Sequence, residues 1–450
     1  MTSALNTDLY ELTMAAGYFL AGKTDEIATF ELSVRRLPEN RNFLVAAGLA
    51  QAVEYLQNLS FQQDDIDYLR GLPQFRKAPA GFFDFLLRLR FTGDLFAVPE
   101  GTPFFADEPV AIVRAPIAEA QLVETYLLST FAFQTSVATK ATRCMIAAGH
   151  RSVVEFGSRR AHGPQAGILA ARAAYIGGCS GTSNTEAGKR FGIPVSGTAA
   201  HSWTMAFDDE ERAFVCLQKL LGENTVFLLD TYDTIGAAHL VCRLGQPVWG
   251  VRLDSGDLLS LSRAVRSILD VGGLQHAKIF ATNDLDEHRI AELLRLGAPI
   301  DAFGVGTQLA TSADAPSLSA VYKLVELEKD GGVQYTAKFS DGKNTRPGAK
   351  QIYRLKDHDL VALQTECDSR FGSNPLIRPI VLAGKLIEPL PEMSGSQSYA
   401  RGCIGELPRE LLDLESAAPY RVEVSPRLAK LTEDVHDGHR KIAVNPKLTP

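Results

Sequence analysis

With 450 residues, 45% of them hydrophobic and 22% charged, the chain has the length of two or three domains and the composition of an ordinary globular protein. Its net charge of -7 excludes a general attraction to nucleic acid or to an anionic membrane, so any phosphate-bearing ligand must be held by local donors. The six cysteines are widely spaced and include no CxxC pair, which argues against a zinc site and a disulfide framework and for a reducing compartment. There is no basic-then-apolar leader and no apolar run near the ~20 residues of a membrane helix, so the expected location is cytoplasmic.

In chain order, the first element is a helix opened by Thr7 or Asp8, with Glu11 placed to close a capping box. Leu9, Leu12, Ala16 and Phe19 form its apolar stripe, and Tyr10 falls off that stripe, free to meet a ligand. Residues 26–125 mix strand-like runs (27–34, 110–113) with helical ones (44–56, 82–87), and 91–116 has the Gly, Pro and alternation of an antiparallel sheet. A long helix over 121–148 follows, with Leu122, Leu127, Leu128, Phe131 and Phe133 as core residues.

From 153 to 311 one figure repeats seven times: an apolar run that stops at a polar or glycine-rich turn. The runs are 153–156, 173–176, 193–195, 226–229, 248–253, 279–281 and 300–303. Such a series predicts a β/α barrel with its chemistry on the loops after the strands; an open doubly wound sheet is the alternative. The rhythm then fades into a hairpin, 318–327 with 333–339 through Asp330-Gly331-Gly332, and into short strands and turns without a catalytic constellation.

The strand ends carry the reactive residue types. Turns 177–184 and 304–307 are glycine-rich and hydroxyl-bearing, the composition of anion sites. Arg159, Arg160 and Arg252 either hold loops through neighbouring carboxylates or bind a carboxylate or phosphate with a guanidinium fork. Asp230, Asp233, Asp254 and Asp257 suit Mg2+, a ribose diol or a developing cation. His201, oriented by an aspartate such as Asp230, can serve as a base or accept a phosphoryl group.

Glu155-Phe156-Gly157-Ser158-Arg159-Arg160-Ala161-His162-Gly163, Gly181-Thr182-Ser183-Asn184, Gly197-Thr198-Ala199-Ala200-His201-Ser202-Trp203, Val251-Arg252-Leu253-Asp254-Ser255-Gly256-Asp257 and Gly304-Val305-Gly306-Thr307 occur in this order. Together with Thr7 to Tyr10 and Tyr322-Lys323-Leu324, this ordered set resembles the nicotinate phosphoribosyltransferase family as far as residue 355 or so. The resemblance implies an irregular, TIM-like β/α barrel (126–340) and an α+β sheet domain (1–125) completed by the C-terminal segment (341–450). It also implies a homodimer with active sites at the interface.

The implied reaction is ATP-coupled transfer of phosphoribose from phosphoribosyl pyrophosphate to nicotinate, with Mg2+ held mainly by pyrophosphate, near Asp254 and Asp257. Nicotinate would lie between Phe156 and the partner's position 10, with Arg252, Thr198 and Ser183 around its carboxylate and ring. Arg159, Arg160, Asp284, Gly304, Gly306 and Thr307 would hold phosphoribosyl pyrophosphate, His201 would be phosphorylated by ATP, and Asp230 and Asp254 would complete the catalytic set. Relatives often have a glycine where this chain has Asn283. The alternatives are a nicotinamide phosphoribosyltransferase and a non-catalytic nucleotide-binding regulator on the same fold.

Overall fold

The computed structural model describes residues 3–39, 41–329, 331–340, 344–366 and 375–444. Two large apolar cores divide them, one under a seven-stranded sheet and one around a ring of parallel strands. The helix Glu124–Ala148 spans both: Leu127 and Phe131 enter the first core, while Val137, Ala138, Ala141 and Cys144 enter the second.

The seven-stranded sheet draws on distant parts of the chain. From one edge its strands are Gly332–Tyr335, Ala320–Lys329, Ile27–Val34, Pro109–Pro116, Asp94–Ala97, Arg378–Leu382 and Lys385–Leu386. Phe30, Leu32 and Val34 alternate onto the buried face, and Phe30 stacks on Tyr322 at 4.8 Å. The expected hairpin after the barrel therefore exists, with Asp330 outside the described residues, but both its strands (320–335) hydrogen-bond into this sheet and not into the barrel to which that stretch was assigned.

Parallel strands Ser152–Glu155, Gly181–Thr182, Val226–Leu228, Gly250–Leu253, Lys278–Ala281 and Ala302–Val305 form the second unit. Ala302–Val305, last in the chain, pairs with Ser152–Glu155, the first, and Val195 adds a single bridge beside Thr182. Around the ring the order follows the chain, as in a β/α barrel; a doubly wound sheet would reverse direction from a central strand. The barrel is irregular because the third unit contributes only that bridge, and no ladder joins Val195 to Val226–Leu228 among the described residues.

Side-chain parity explains why chemistry gathers at one end. Val153, Val251, Leu253, Ile279, Ala281, Phe303 and Val305 pack outward against the helices. Strand alternation then turns Val154, Phe156, Arg252, Asp254, Phe280, Thr282, Ala302 and Gly304 inward, and Val154, Phe280, Ala302 and Phe156 form a small internal cluster.

Several expectations change. Residues 173–176 are the last turn of helix Pro164–Ile176, because an alanine-rich run buried all round suits a helix as well as a strand. The strand is Gly181–Thr182, so most of the 177–184 turn precedes it and only Ser183 and Asn184 lie on the rim. Leu9 is 42% exposed and Ala15 takes its place in the stripe, while Asp8 accepts from Thr125 Oγ1 (3.0 Å) and makes no cap. Glu11 closes no capping box; it is fully buried and accepts from Gln121. The C-terminal part also contains helices Met393–Gly405 and Pro426–Val444, the first obscured in sequence by its glycines and serines.

Candidate active site

At the carboxyl end of the barrel Glu155 is the first fixed point. It is fully buried and accepts from Gly157 N–H and from Thr182 Oγ1 (2.6 Å), which ties the turns after two neighbouring strands together. Burial pushes its carboxyl pKa up, against the lowering effect of these two donors. Thr182 pairs with Glu155, so Ser183, exposed, follows in register beside Phe156. Asn184 caps helix Thr185–Phe191 through Ala187 N–H (2.9 Å) and donates to Ser158 Oγ (3.0 Å).

Phe156 meets Phe280 edge to face at 5.4 Å, and the Arg252 guanidinium lies 5.8 Å from the Phe156 ring centre. Both aromatic rings need Gly304: a Cβ there would sit 2.9 Å from Phe280 and 3.0 Å from Phe156. Gly304 is thus buried within its strand and makes room for the aromatic floor, whereas the turn expected to bind phosphate begins at Gly306. Thr307 opens the one-turn helix Thr307–Ala310.

Arg252, 8% exposed, is held on three sides. Its Nε donates to Thr282 Oγ1 (2.9 Å), Nη1 to Thr198 Oγ1 (2.7 Å) and Ala199 O (3.4 Å), and Nη2 to Asp254 Oδ1 (2.8 Å). Its fork is therefore not an open clamp: one Nη2 hydrogen remains, and the Thr198 hydroxyl can turn from its 3.2 Å contact with Ala199 O toward a ligand.

Asp254 is the hub of the rim. It accepts from Arg252 and from Thr282 Oγ1, its second oxygen lies 3.6 Å from His201 Nε2, and its N–H donates to Asp230 (3.1 Å). His201 opens helix His201–Met205, with Nδ1 3.2 Å from Thr231 Oγ1. Asp230, expected to orient His201, instead accepts from Asp254 N–H and from Ser255 Oγ, and its Oδ1 is buried without a partner. The histidine is set by Thr231 and Asp254.

Other expected residues take different places. Asp233 and Asp257 are helix caps, accepting from Ile235 N–H (3.1 Å) and Leu259 N–H (3.2 Å); hydrogen bonding from Ser260 lowers the Asp257 pKa. Arg159 and Arg160 are exposed on their turn, where Arg160 N–H donates to Gly157 O (2.8 Å). Asn283 and Asp284 hold φ of +88° and +47°; asparagine and aspartate tolerate this left-handed backbone, so Asn283 keeps a turn that glycine makes easily. Tyr10, 46% exposed, stands on the first helix, with its phenol pKa raised by desolvation and the hydrogen bond to Glu11, and among the described residues no ring contact joins it to the rim of its own chain.

Sequence reasoning missed Glu155, Thr231, Thr282 and Ser255 as rim residues. An acid inside the apolar run Val153-Val154-Glu155-Phe156 was a legible signal; hydroxyl residues one or two places from an expected ligand were not. Among the described residues no group of three His, Cys, Asp or Glu side chains is placed to hold a metal, and no helix is long and apolar enough to cross a membrane. The described cysteines, 144, 179, 216, 242 and 403, are free; Cys367 lies outside the described residues.

Comparison with known proteins accounts for this arrangement. Models of the nicotinate phosphoribosyltransferase N-terminal domain, family region and C-terminal domain match residues 5–132, 151–341 and 361–432. Nicotinate phosphoribosyltransferase pncB2 of Mycobacterium tuberculosis is 44% identical, covering 99% of this chain and 98% of its own. The Bacillus subtilis nicotinate phosphoribosyltransferase is 40% identical over 94% and 93%. The crystal structure of human nicotinic acid phosphoribosyltransferase superposes with a TM-score of 0.82 at 29% identity, covering 96% of this chain and 99% of that one. Matched by one family's models over most of its length, and sharing its fold as well as its sequence, this chain belongs to the nicotinate phosphoribosyltransferase family.

Proposed function

We propose that this protein transfers phosphoribose from phosphoribosyl pyrophosphate to nicotinate, giving nicotinate mononucleotide and pyrophosphate for NAD biosynthesis, with ATP coupled through His201. The observation that carries the reading is the convergence of Phe156, Arg252, Asp254 and His201 on one rim. The nicotinate ring lies on Phe156 and directs its carboxylate to the remaining Arg252 donor and the Thr198 hydroxyl, with Ser183 alongside. The pyridine nitrogen forms its bond to the anomeric carbon as the bond to pyrophosphate breaks and pyrophosphate takes the electron pair. Asp254 faces the positive charge that grows on the sugar.

The turn at Gly306 and Thr307 holds the sugar phosphate through backbone N–H groups and the Thr307 hydroxyl, with Asp284 on the neighbouring turn and Arg159 and Arg160 for pyrophosphate. Mg2+ commonly takes one or two carboxylates plus substrate phosphates, and the unpartnered Asp230 Oδ1 fits that limited demand better than the cap Asp257. When bound with pyrophosphate, the ion would neutralise charge on the leaving group.

His201 supports coupling because Thr231 anchors one ring nitrogen beside a carboxylate that can balance an imidazolium. γ-labelled ATP should transfer acid-labile, base-stable label to the wild type and none to His201→Ala; undiminished label in that variant contradicts the assignment. Tyr10, exposed on the first helix, completes the site of a second copy in a homodimer. Mixed Tyr10→Ala and Arg252→Ala chains, each inactive alone, should regain activity through one intact hybrid site, and no recovery after demonstrated subunit exchange contradicts a shared site.

A further inference from the structure

Beneath the rim lies a buried charge cluster that the reaction as described does not use. Lys140 and Arg143, one turn apart on helix Glu124–Ala148, and Arg41 have side chains 1%, 5% and 1% exposed. Lys140 Nζ lies 2.6 Å from Glu287 Oε2 and 2.8 Å from Asp314 Oδ1. Arg143 Nε donates to Glu287 (2.7 Å), and Arg41 grips Asp314 with two bonds of 2.8 and 3.0 Å. Burial opposes ionisation of both carboxyl groups, yet the cations hold both below the usual carboxylate range, so the two carboxylates remain ionised at neutral pH.

The two carboxylates belong to different rim loops. Glu287 is the first residue of helix Glu287–Arg295, directly after the turn of Asn283 and Asp284. Asp314 lies just beyond the one-turn helix Thr307–Ala310. The strands that deliver these loops share a ladder two residue pairs long, Phe280 with Ala302 and Ala281 with Phe303. A second tie is needed if the loops are to keep a fixed separation, and Lys140 reaches both carboxylates within hydrogen-bond distance, whereas Arg41, bound to Asp314, stands 3.8 Å from Glu287.

We infer that Lys140 is a positioning residue for phosphoribosyl pyrophosphate, setting the distance between the two loops that carry Asp284 and Thr307. The inference rests on the proposal that those loops hold the phosphates. A polyanion bound by donors on both loops depends on their spacing to within a fraction of an ångström, whereas nicotinate rests on Phe156 and Arg252 and is insensitive to it.

The test compares Lys140→Met, Glu287→Gln and Thr307→Val by steady-state kinetics at saturating ATP, with melting temperatures alongside. Lys140→Met should raise KM for phosphoribosyl pyrophosphate at least ten-fold and leave KM for nicotinate within two-fold. If Lys140→Met fails to fold, the isosteric Glu287→Gln carries the test, with the same selective rise expected. Thr307→Val probes the phosphate loop itself. A rise in Thr307→Val without one in the cluster variants overturns the inference and leaves the phosphate site standing; no rise in any variant removes both. Equal rises for both substrates, or a lower melting temperature with unchanged constants, show that the cluster only holds the fold and overturn the inference.

Discussion

Asp254→Ala should turn over nicotinate about 1,000-fold more slowly than the wild type, a loss of about 4 kcal/mol in transition-state stabilisation. Three effects combine at this one residue. The carboxylate proposed to face the anomeric carbon disappears, Arg252 loses its closest anion at 2.8 Å, and His201 loses the carboxylate 3.6 Å from Nε2. The released guanidinium can bind the substrate carboxylate more freely, so KM for nicotinate should stay near the wild-type value or fall while kcat collapses. Asp254→Asn keeps an acceptor for Arg252 and Thr282 but not the charge, and should be intermediate. A rate within about five-fold of wild type in the alanine variant would contradict a charge-stabilising role, since even single preorganised hydrogen bonds commonly supply more.

The barrel was legible in the sequence because its strands obey a simple rule, apolar residues outward toward helices and functional ones inward at the end. Arg252 and Asp254 differ by two positions, the strand period, and so share a face. The 173–176 run was misread because periodicity cannot separate a short buried strand from the end of a buried helix, and the glycines after it belong to the helix exit. The roles of the acids were not legible either. Asp230, Asp233, Asp254 and Asp257 all follow strands, yet only the first two links of geometry, cap or inward-facing end, separate Asp233 and Asp257 from the rest. Gly304 had the composition of a phosphate turn and proved to be the space for two aromatic rings. Long-range ties such as Lys140 with Asp314 leave no local pattern at all.

Selectivity for the acid over the amide should be the other large effect. In the proposed site nicotinate would present two acceptor oxygens to the remaining Arg252 hydrogen, the Thr198 hydroxyl and the Ser183 hydroxyl, whereas nicotinamide would bring an NH2 donor toward a guanidinium that cannot accept. Unpaired buried donors cost on the order of 1 to 3 kcal/mol each, so two mismatches give about 100-fold discrimination or more. Ser183, next to Phe156 in register, should be part of this choice: Ser183→Asp would repel the carboxylate and accept from the amide, damaging nicotinate use far more than nicotinamide use. Equal loss on both substrates would make Ser183 a loop residue only.

The most direct measurement offers nicotinate and nicotinamide together, with phosphoribosyl pyrophosphate, ATP and Mg2+, to the wild-type protein and separates the mononucleotides formed. Nicotinate mononucleotide in at least 100-fold excess, dependent on ATP, is the predicted result. A preference for nicotinamide, or no mononucleotide from either pyridine, would contradict the account.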